Sequence, residues 1–477
     1  MPAPQDPAGR RTYELDRAHV FHSWSAQAEL DPMVITRAEG SFVWDADGNR
    51  YLDFSSQLVY TNLGHQHPRV VAAIQEQAAT LCTIAPAHAN DARSEAARLV
   101  AERAPEGMDH VFFTNGGAEA VENAIRMARL HTGRYKTLSL YRGYHGSTQT
   151  AINLTGDHRR WASDYGSSGA VHFHGPFLYR SEFHAATEAE ECERALEHLD
   201  RLIAFEGPSS FAALIIETVP GTSGIMPPPP GYLQGVREIC DRYGIVMVCD
   251  EVMVGFGRTG AWFAVDHYGV TPDLITFAKG VNSGYVPLGG VIVSREIYET
   301  FAHRPYPGGL TYSGHPLACA AAVATIQAMA EEGVVENAAR IGEEVLRPGL
   351  QRLAERHPSV GEVRGLGAFF ALDLVRDPQT REPLTPYGTS GEAVARTVAR
   401  CRELGLLVFT NYHRIHLAPP LNVTEEQCAR ALEILDQALT VADGFTTTAG
   451  ATAAAAPDAS ITPSASDQTT TAQEAAR

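Results

Sequence analysis

Among its 38 basic side chains the 477-residue sequence has only two lysines, Lys136 and Lys279. Chemistry that needs a lysine amine therefore has two candidates. Lys279 closes the run Asp273-Leu-Ile-Thr-Phe-Ala-Lys279-Gly280. A lysine at the end of an apolar strand is costly to bury as a cation, so its pKa falls and its neutral amine becomes a nucleophile. The alternative is a stem that snorkels to water. Lys136, beside Tyr135, has no chemical neighbours in the sequence. Cys249-Asp250-Glu251 ends the most apolar strand candidate, which puts one carboxylate at the mouth of a sheet and sends its neighbour elsewhere. Asn115-Gly116-Gly117-Ala118-Glu119 joins a strand candidate to an amphipathic helix. Backbone N–H groups and the positive end of that helix make such a junction a cradle for phosphate. It lacks the G-K-[ST] ending of a nucleotide P-loop. Tyr144-His145-Gly146 offers an aromatic ring that could lie flat on a planar ligand or pack in the core.

These residues need elements to hold them. Short apolar runs at Val111–Thr114, Thr137–Leu140, Ala212–Ile216, Gly244–Cys249, Leu274–Phe277 and Gly290–Ser294 read as strands, several buried on both faces. Helical patterns at Ala118–Leu130 and Gly231–Tyr243 fall between them. The fold class is α/β, a mostly parallel sheet with helices on both faces, and sites in such sheets lie at the carboxyl ends of the strands. Long helices at Val334–His357, Thr389–Leu404 and Thr424–Ala442, with short strands near Phe369–Asp373 and Ile415–Leu417, read as a smaller α+β domain. The expected organisation is an N-terminal arm and part of the small domain (1–70), a large domain (71–324), the remaining small domain (325–444) and a disordered Ala/Thr/Ser-rich tail (445–477).

The net charge is −18. That disfavours nucleic acid or an anionic membrane surface as the main partner. Seven scattered cysteines without a C-x-x-C pair argue for a reducing compartment and against a disulfide framework. No apolar h-region or membrane-length run is evident, so a cytoplasmic location is expected. The histidine pairs His65/His67, His172/His174 and His413/His416 lack an acidic or cysteine complement at usual spacing, and no metal is expected.

Lys279, Asp250, a phosphate cradle and a stacking aromatic are together the parts that pyridoxal 5′-phosphate requires. The chain resembles the class III aminotransferases, the omega-aminotransferase group of fold-type-I pyridoxal-phosphate enzymes. The resemblance rests on Leu52-Asp53 with Asn62-Leu-Gly-His-Gln-His-Pro68, Phe113-Thr-Asn-Gly-Gly-Ala-Glu-Ala120, Tyr144-His-Gly146, Glu217 with Gly221, Asp250-Glu-Val-Met-Val-Gly-Phe-Gly-Arg-Thr-Gly260, Phe277-Ala-Lys-Gly280 and Thr311-Tyr-Ser-Gly-His-Pro316. It runs from about residue 35 to 440 and implies a seven-stranded sheet in the large domain. It further implies that Lys279 is the Schiff-base lysine and proton shuttle and that Asp250 faces the pyridinium nitrogen. Val252 and Tyr144 would cover the two ring faces. Gly117 and Ala118 would give N–H groups to the phosphate, Thr311 would reach it from a partner subunit, and Glu217 would lie near the ring hydroxyl. The implied active unit is a homodimer or homotetramer.

The sequence departs from the family at two places. Gly116-Gly117-Ala118 stands where many relatives have Ser-Gly-Ser, which removes hydroxyl contacts to phosphate. Val59 stands where an entrance aromatic is common, and Phe409 where amine-specific relatives carry a mobile arginine, leaving Arg414 for either an anion-binding role or an ion pair. The resemblance implies amino transfer from a primary amine, of the taurine or β-alanine type, to a keto acid, with pyruvate expected and 2-oxoglutarate as alternative. Decarboxylases and aminomutases share the fold and are a second alternative. A nicotinamide dehydrogenase is suggested only by Gly255-Phe-Gly257-Arg-Thr-Gly260. Five residues separate that motif from its strand, which the dinucleotide fingerprint does not allow.

Overall fold

The computed structural model describes residues 3–163, 169–389 and 391–447. Three strands near the N-terminus, β1 (Ile35–Glu39), β2 (Phe42–Asp45) and β3 (Arg50–Asp53), make an antiparallel meander. A seven-stranded sheet follows from β4 (His110–Thr114), β5 (Lys136–Leu140), β6 (Ala170–Phe173), β7 (Phe211–Glu217), β8 (Val246–Asp250), β9 (Leu274–Phe277) and β10 (Gly289–Val293), in the order β4-β10-β9-β8-β7-β5-β6. Only β10 runs against its neighbours. A third sheet combines β11 (Val360–Leu366), β12 (Phe369–Asp377) and β13 (Glu382–Pro383). After β14 (Leu406–Leu407), which pairs in parallel with β3, the strands β15 (Phe409–Asn411) and β16 (Arg414–Leu417) complete that third sheet.

The central strands are apolar throughout because both faces are covered. On β7 and β8, Leu214, Ile216, Met247 and Cys249 enter one core, while Ala213, Ile215, Val246 and Val248 enter another. The second core is closed by helix Gly117–Thr132 through Ala120, Val121, Ala124 and Ala128. This alternation is what the period of a strand requires when helices lie on both faces. It brings the carboxyl ends of β7, β8 and β9 to one edge, with Glu217 beside Asp250 and Asp250 beside Thr276.

One expected element changes, and others are added to those expected. The helix read over Val334–His357 is three pieces: Val334–Ile341, a π turn at Gly342–Leu346, and Arg347–Arg356. The turn falls where Gly342 packs on the Gly367 carbonyl so closely that a Cβ would lie 2.2 Å from its oxygen, and Pro348, lacking an N–H, follows. The first 35 residues contain a helix, Pro7–His19, whose N-terminus is capped by the Asp6 carboxylate on Gly9 N at 2.7 Å with proline at the first position. Strand β6 and the meander β1–β3 were not among the strand candidates. Of the expected tail, residues 448–477 lie outside the described residues. Among the described residues no single helix is long and apolar enough to cross a membrane.

Candidate active site

Two joined cavities, of about 390 and 470 Å³, open at the carboxyl edge of the large sheet and share Lys279, Tyr144, Thr222, Met253 and Trp24. The inner one reaches from Lys279 and Asp250 to Gly116–Ala118 at the start of helix Gly117–Thr132. That helix has free N–H groups in its first turn by geometry. Gly117 lacks a side chain for a visible reason, since a Cβ there would lie 2.8 Å from Val252 Cγ1. Val252 and Tyr144 both line the inner cavity.

Lys279 follows β9 with φ +45°, a left-handed backbone setting uncommon for a residue with a side chain. Burial lowers its pKa, Asp250 and Glu217 pull it partly back up, and Arg159 lowers it further. Its amine is thus kept closer to neutral than a free lysine's. Asp250 is almost completely buried, at 4% exposure. Its Oδ2 lies 2.7 Å from His145 Nδ1, and its Oδ1 accepts from Val252 N at 3.1 Å. His145 Nε2 is buried with no partner, so the pair leaves hydrogen-bonding capacity unspent. Glu217 accepts from Tyr144 N and Gly221 N, each at 2.9 Å. Burial and the neighbouring Asp250 raise its pKa, against the lowering from His145 and the two backbone N–H groups.

The outer cavity holds a side chain that the sequence did not flag. Arg159 lies over the Tyr144 ring with its guanidinium carbon 3.6 Å from the centroid, and it lines the same cavity as Lys279. Its Nε donates to both oxygens of the buried Asp157 at 3.1 and 2.9 Å. The segment Asp157-His-Arg-Arg has no strand, glycine or spacing signal, and only its fold against Tyr144 marks it. Val59 and Phe409 also line this mouth. Arg414 does not. It is buried, 4% exposed, with Nε 3.5 Å from Asp373 Oδ2 and Nη1 without a hydrogen-bond partner. Burial lowers its pKa to about 10, with Arg364, Arg142 and Arg180 adding to the effect and Asp373 opposing it. Thr311 is exposed between the helices Arg295–Phe301 and Pro316–Glu331 and does not line the cleft of its own chain. Lys136, the other lysine, is paired with Glu206 at 2.8 Å. Among the described residues no cluster of three metal-ligating side chains is found.

A parallel-sheet enzyme built around one buried lysine is the class that this fold and cleft define. Residues 24–439 match the family model Aminotransferase class-III, and the chain belongs to that family. It is 38% identical over 434 residues to an uncharacterized aminotransferase of Bacillus subtilis, covering 87% of this chain and 93% of the relative. It is 35% identical over 463 residues to the taurine–pyruvate aminotransferase of Rhodobacter capsulatus, covering 92% and 98%. Among solved structures, the taurine:2-oxoglutarate aminotransferase of Bifidobacterium kashiwanohense, in complex with pyridoxal phosphate and glutamate, matches with TM-score 0.88 and 44% identity over 91% of this chain and 98% of that one. The protein is therefore an aminotransferase that uses pyridoxal 5′-phosphate. The cleft suits that cofactor: a helix N-terminus with room left by Gly117 lies at one end, and a buried carboxylate and a lysine lie at the other.

Proposed function

We propose that the protein moves an amino group from a short primary amine bearing a remote acid group, of the taurine or β-alanine type, to a keto acid. The observation that carries this reading is Arg159 in the wall of the cavity that holds Lys279. Arg159 Nε and Nη2 are held by Asp157, and Nη1, outside those bonds, is the group offered to a sulfonate or carboxylate while the donor's amine lies at Lys279. When bound, the cofactor supplies the electron sink that makes the donor's carbon acid. Lys279 would hold the cofactor, and its amine, once displaced by the donor, would be placed to take the proton from the substrate carbon. Asp250, held by His145, would face the ring nitrogen. Gly117 and Ala118 would donate N–H groups to the phosphate, Tyr144 and Val252 would enclose the ring, Glu217 would lie near its hydroxyl, and Val59 would limit what enters.

For the acceptor, pyruvate follows from likeness to the taurine–pyruvate enzymes. 2-Oxoglutarate is the alternative acceptor, but Arg414 is buried and lines neither cavity, so Arg159 is the one guanidinium among the described residues that line them. A dicarboxylate needs two cations and pyruvate one. The active unit in this reading is a homodimer in the cytoplasm, with Thr311 of one copy completing the phosphate site of the other. The exposed position of Thr311, the exposed Tyr312 beside it and seven unpaired cysteines support that reading.

The test is a donor and acceptor panel followed by the cofactor's absorbance. Taurine or β-alanine is expected to discharge the yellow colour, and pyruvate or 2-oxoglutarate to restore it. Lys279→Ala is expected to abolish both changes. Arg159→Leu is expected to raise KM for anionic donors about 10- to 100-fold, the scale of a lost charge-assisted contact, while sparing an uncharged amine. Full turnover by Lys279→Ala, or equal loss on charged and uncharged donors in Arg159→Leu, would refute the assignment.

A further inference from the structure

The outer cavity that Arg159 lines is also walled by the segment Ser55–Tyr60, which contributes Leu58 and Val59 to it and Tyr60 to the inner cavity. Its backbone is unusual. Ser56, Gln57 and Val59 have φ of +43°, +61° and +60°, and Gln57 combines this with ψ −101°. Three left-handed residues in four, none of them glycine and one β-branched, form a conformation that persists only where its surroundings impose it.

The carboxylate of Asp53 is its main anchor. Asp53 ends β3 with its side chain completely inaccessible. Its Oδ1 accepts from Ser55 Oγ at 2.6 Å and Ser55 N at 3.1 Å. Its Oδ2 accepts from Gln57 Nε2 at 2.9 Å and lies 3.0 Å from His65 Nε2. Burial acts to raise the pKa of Asp53, but the hydrogen bonds from His65, Ser55 and Gln57 outweigh it, so the group stays ionised. A second clamp holds the same turn from outside. Ser56 Oγ donates to Ala418 O at 2.6 Å and accepts from the buried Arg258 at 3.3 Å. Asp53 itself lines neither cavity.

We propose that Asp53 is a positioning residue that sets donor size: by anchoring the strained 55–60 turn it holds Leu58 and Val59 as the fixed wall of the substrate mouth. Releasing the anchor lets the turn relax toward ordinary backbone angles, and the wall retreats. The inference rests on the amine-donor reading only in that a donor enters by this mouth.

Asp53→Asn retains shape but replaces one acceptor oxygen by a donor. In the cofactor-loaded enzyme it is expected to raise the ratio of kcat/KM for a bulky arylalkylamine to that for β-alanine by about tenfold, the scale of a pocket contact. The change should lie mainly in KM. Gln57→Leu, which removes one anchor bond, is expected to shift the ratio the same way by less, and it serves if Asp53→Asn does not fold. An unchanged ratio in the folded variants, or an equal loss on both donors, overturns the proposal. If the wild-type enzyme transfers amino groups from neither donor, the functional reading fails instead, and that result is distinguishable because it precedes any comparison of variants.

Discussion

At the scale of single residues, the reactive lysine is tuned by charges on both sides. Burial and Arg159 push the Lys279 pKa down, while Asp250 and Glu217 push it up. Removing Arg159 removes a lowering influence, so the pKa of Lys279 rises and its neutral amine appears only at higher pH. In Arg159→Gln apoenzyme, the acid limb of the pH profile for recapturing pyridoxal phosphate is expected to move to higher pH than in the wild type. Glu217→Gln removes a raising influence, and its limb is expected to move the other way. Stopped-flow absorbance during reconstitution reads both, and shifts of the same sign in the two variants would contradict this account. Much at this scale was legible in the sequence, because Lys279 and Asp250 end apolar strands and so carry their own positional signal. Arg159 was not, since it lies in a short 3-10 turn, His158–Ser163, outside the strand and helix pattern, and Asp53 was legible only as part of the Leu52-Asp53 match, not as an anchor. Their importance comes from what distant segments fold against.

At the scale of elements, the cradle depends on how closely helix Gly117–Thr132 approaches the chain after β8. Gly117→Ala gains up to about 1 kcal/mol of helix preference. Against this, the new Cβ meets Val252 Cγ1 at 2.8 Å, and overpacking a stiff β-branched neighbour costs about 1–3 kcal/mol. The clash is expected to win. Tm should fall by a few degrees and the pyridoxal phosphate concentration for half-saturation should rise, as measured by thermal unfolding and by titration of apoenzyme. The joint between the sheets makes a second test. The fully buried Arg258 donates to Ala368 O, Pro419 O, Ser56 Oγ and Asn62 Oδ1. It thereby ties the 55–62 segment to the third sheet. Arg258→Met leaves these four acceptors unpaired, and a loss of about 3–5 kcal/mol is expected in denaturant unfolding. The central strands were readable because double burial makes them uniformly apolar. The broken helix at Gly342 was not, because its cause is the Gly367 carbonyl, which contacts it only in the folded chain.

At the scale of the whole molecule, the question is whether one chain can hold the cofactor alone. The inner cavity contains a lysine, a carboxylate and a helix N-terminus, but Thr311 stands exposed outside it, near exposed Tyr312. If Thr311 serves the neighbouring copy, two different inactive variants should repair each other. Lys279→Ala removes the amine from its own site. Thr311→Glu sets a negative charge against the phosphate of the opposite site. In a mixed dimer, the chain that keeps Lys279 receives an intact Thr311 from its partner, so one of the two sites is whole, while the other carries both defects. Random pairing makes half of all dimers mixed, each with one good site in two, so co-refolded equal mixtures should regain about a quarter of wild-type activity by the pairing arithmetic of a two-fold dimer. Each variant alone should stay inactive, and mixing without subunit exchange should give nothing. If Thr311 instead served its own chain, every site in the mixture would carry a defect and no activity would return, so the measurement separates the two arrangements.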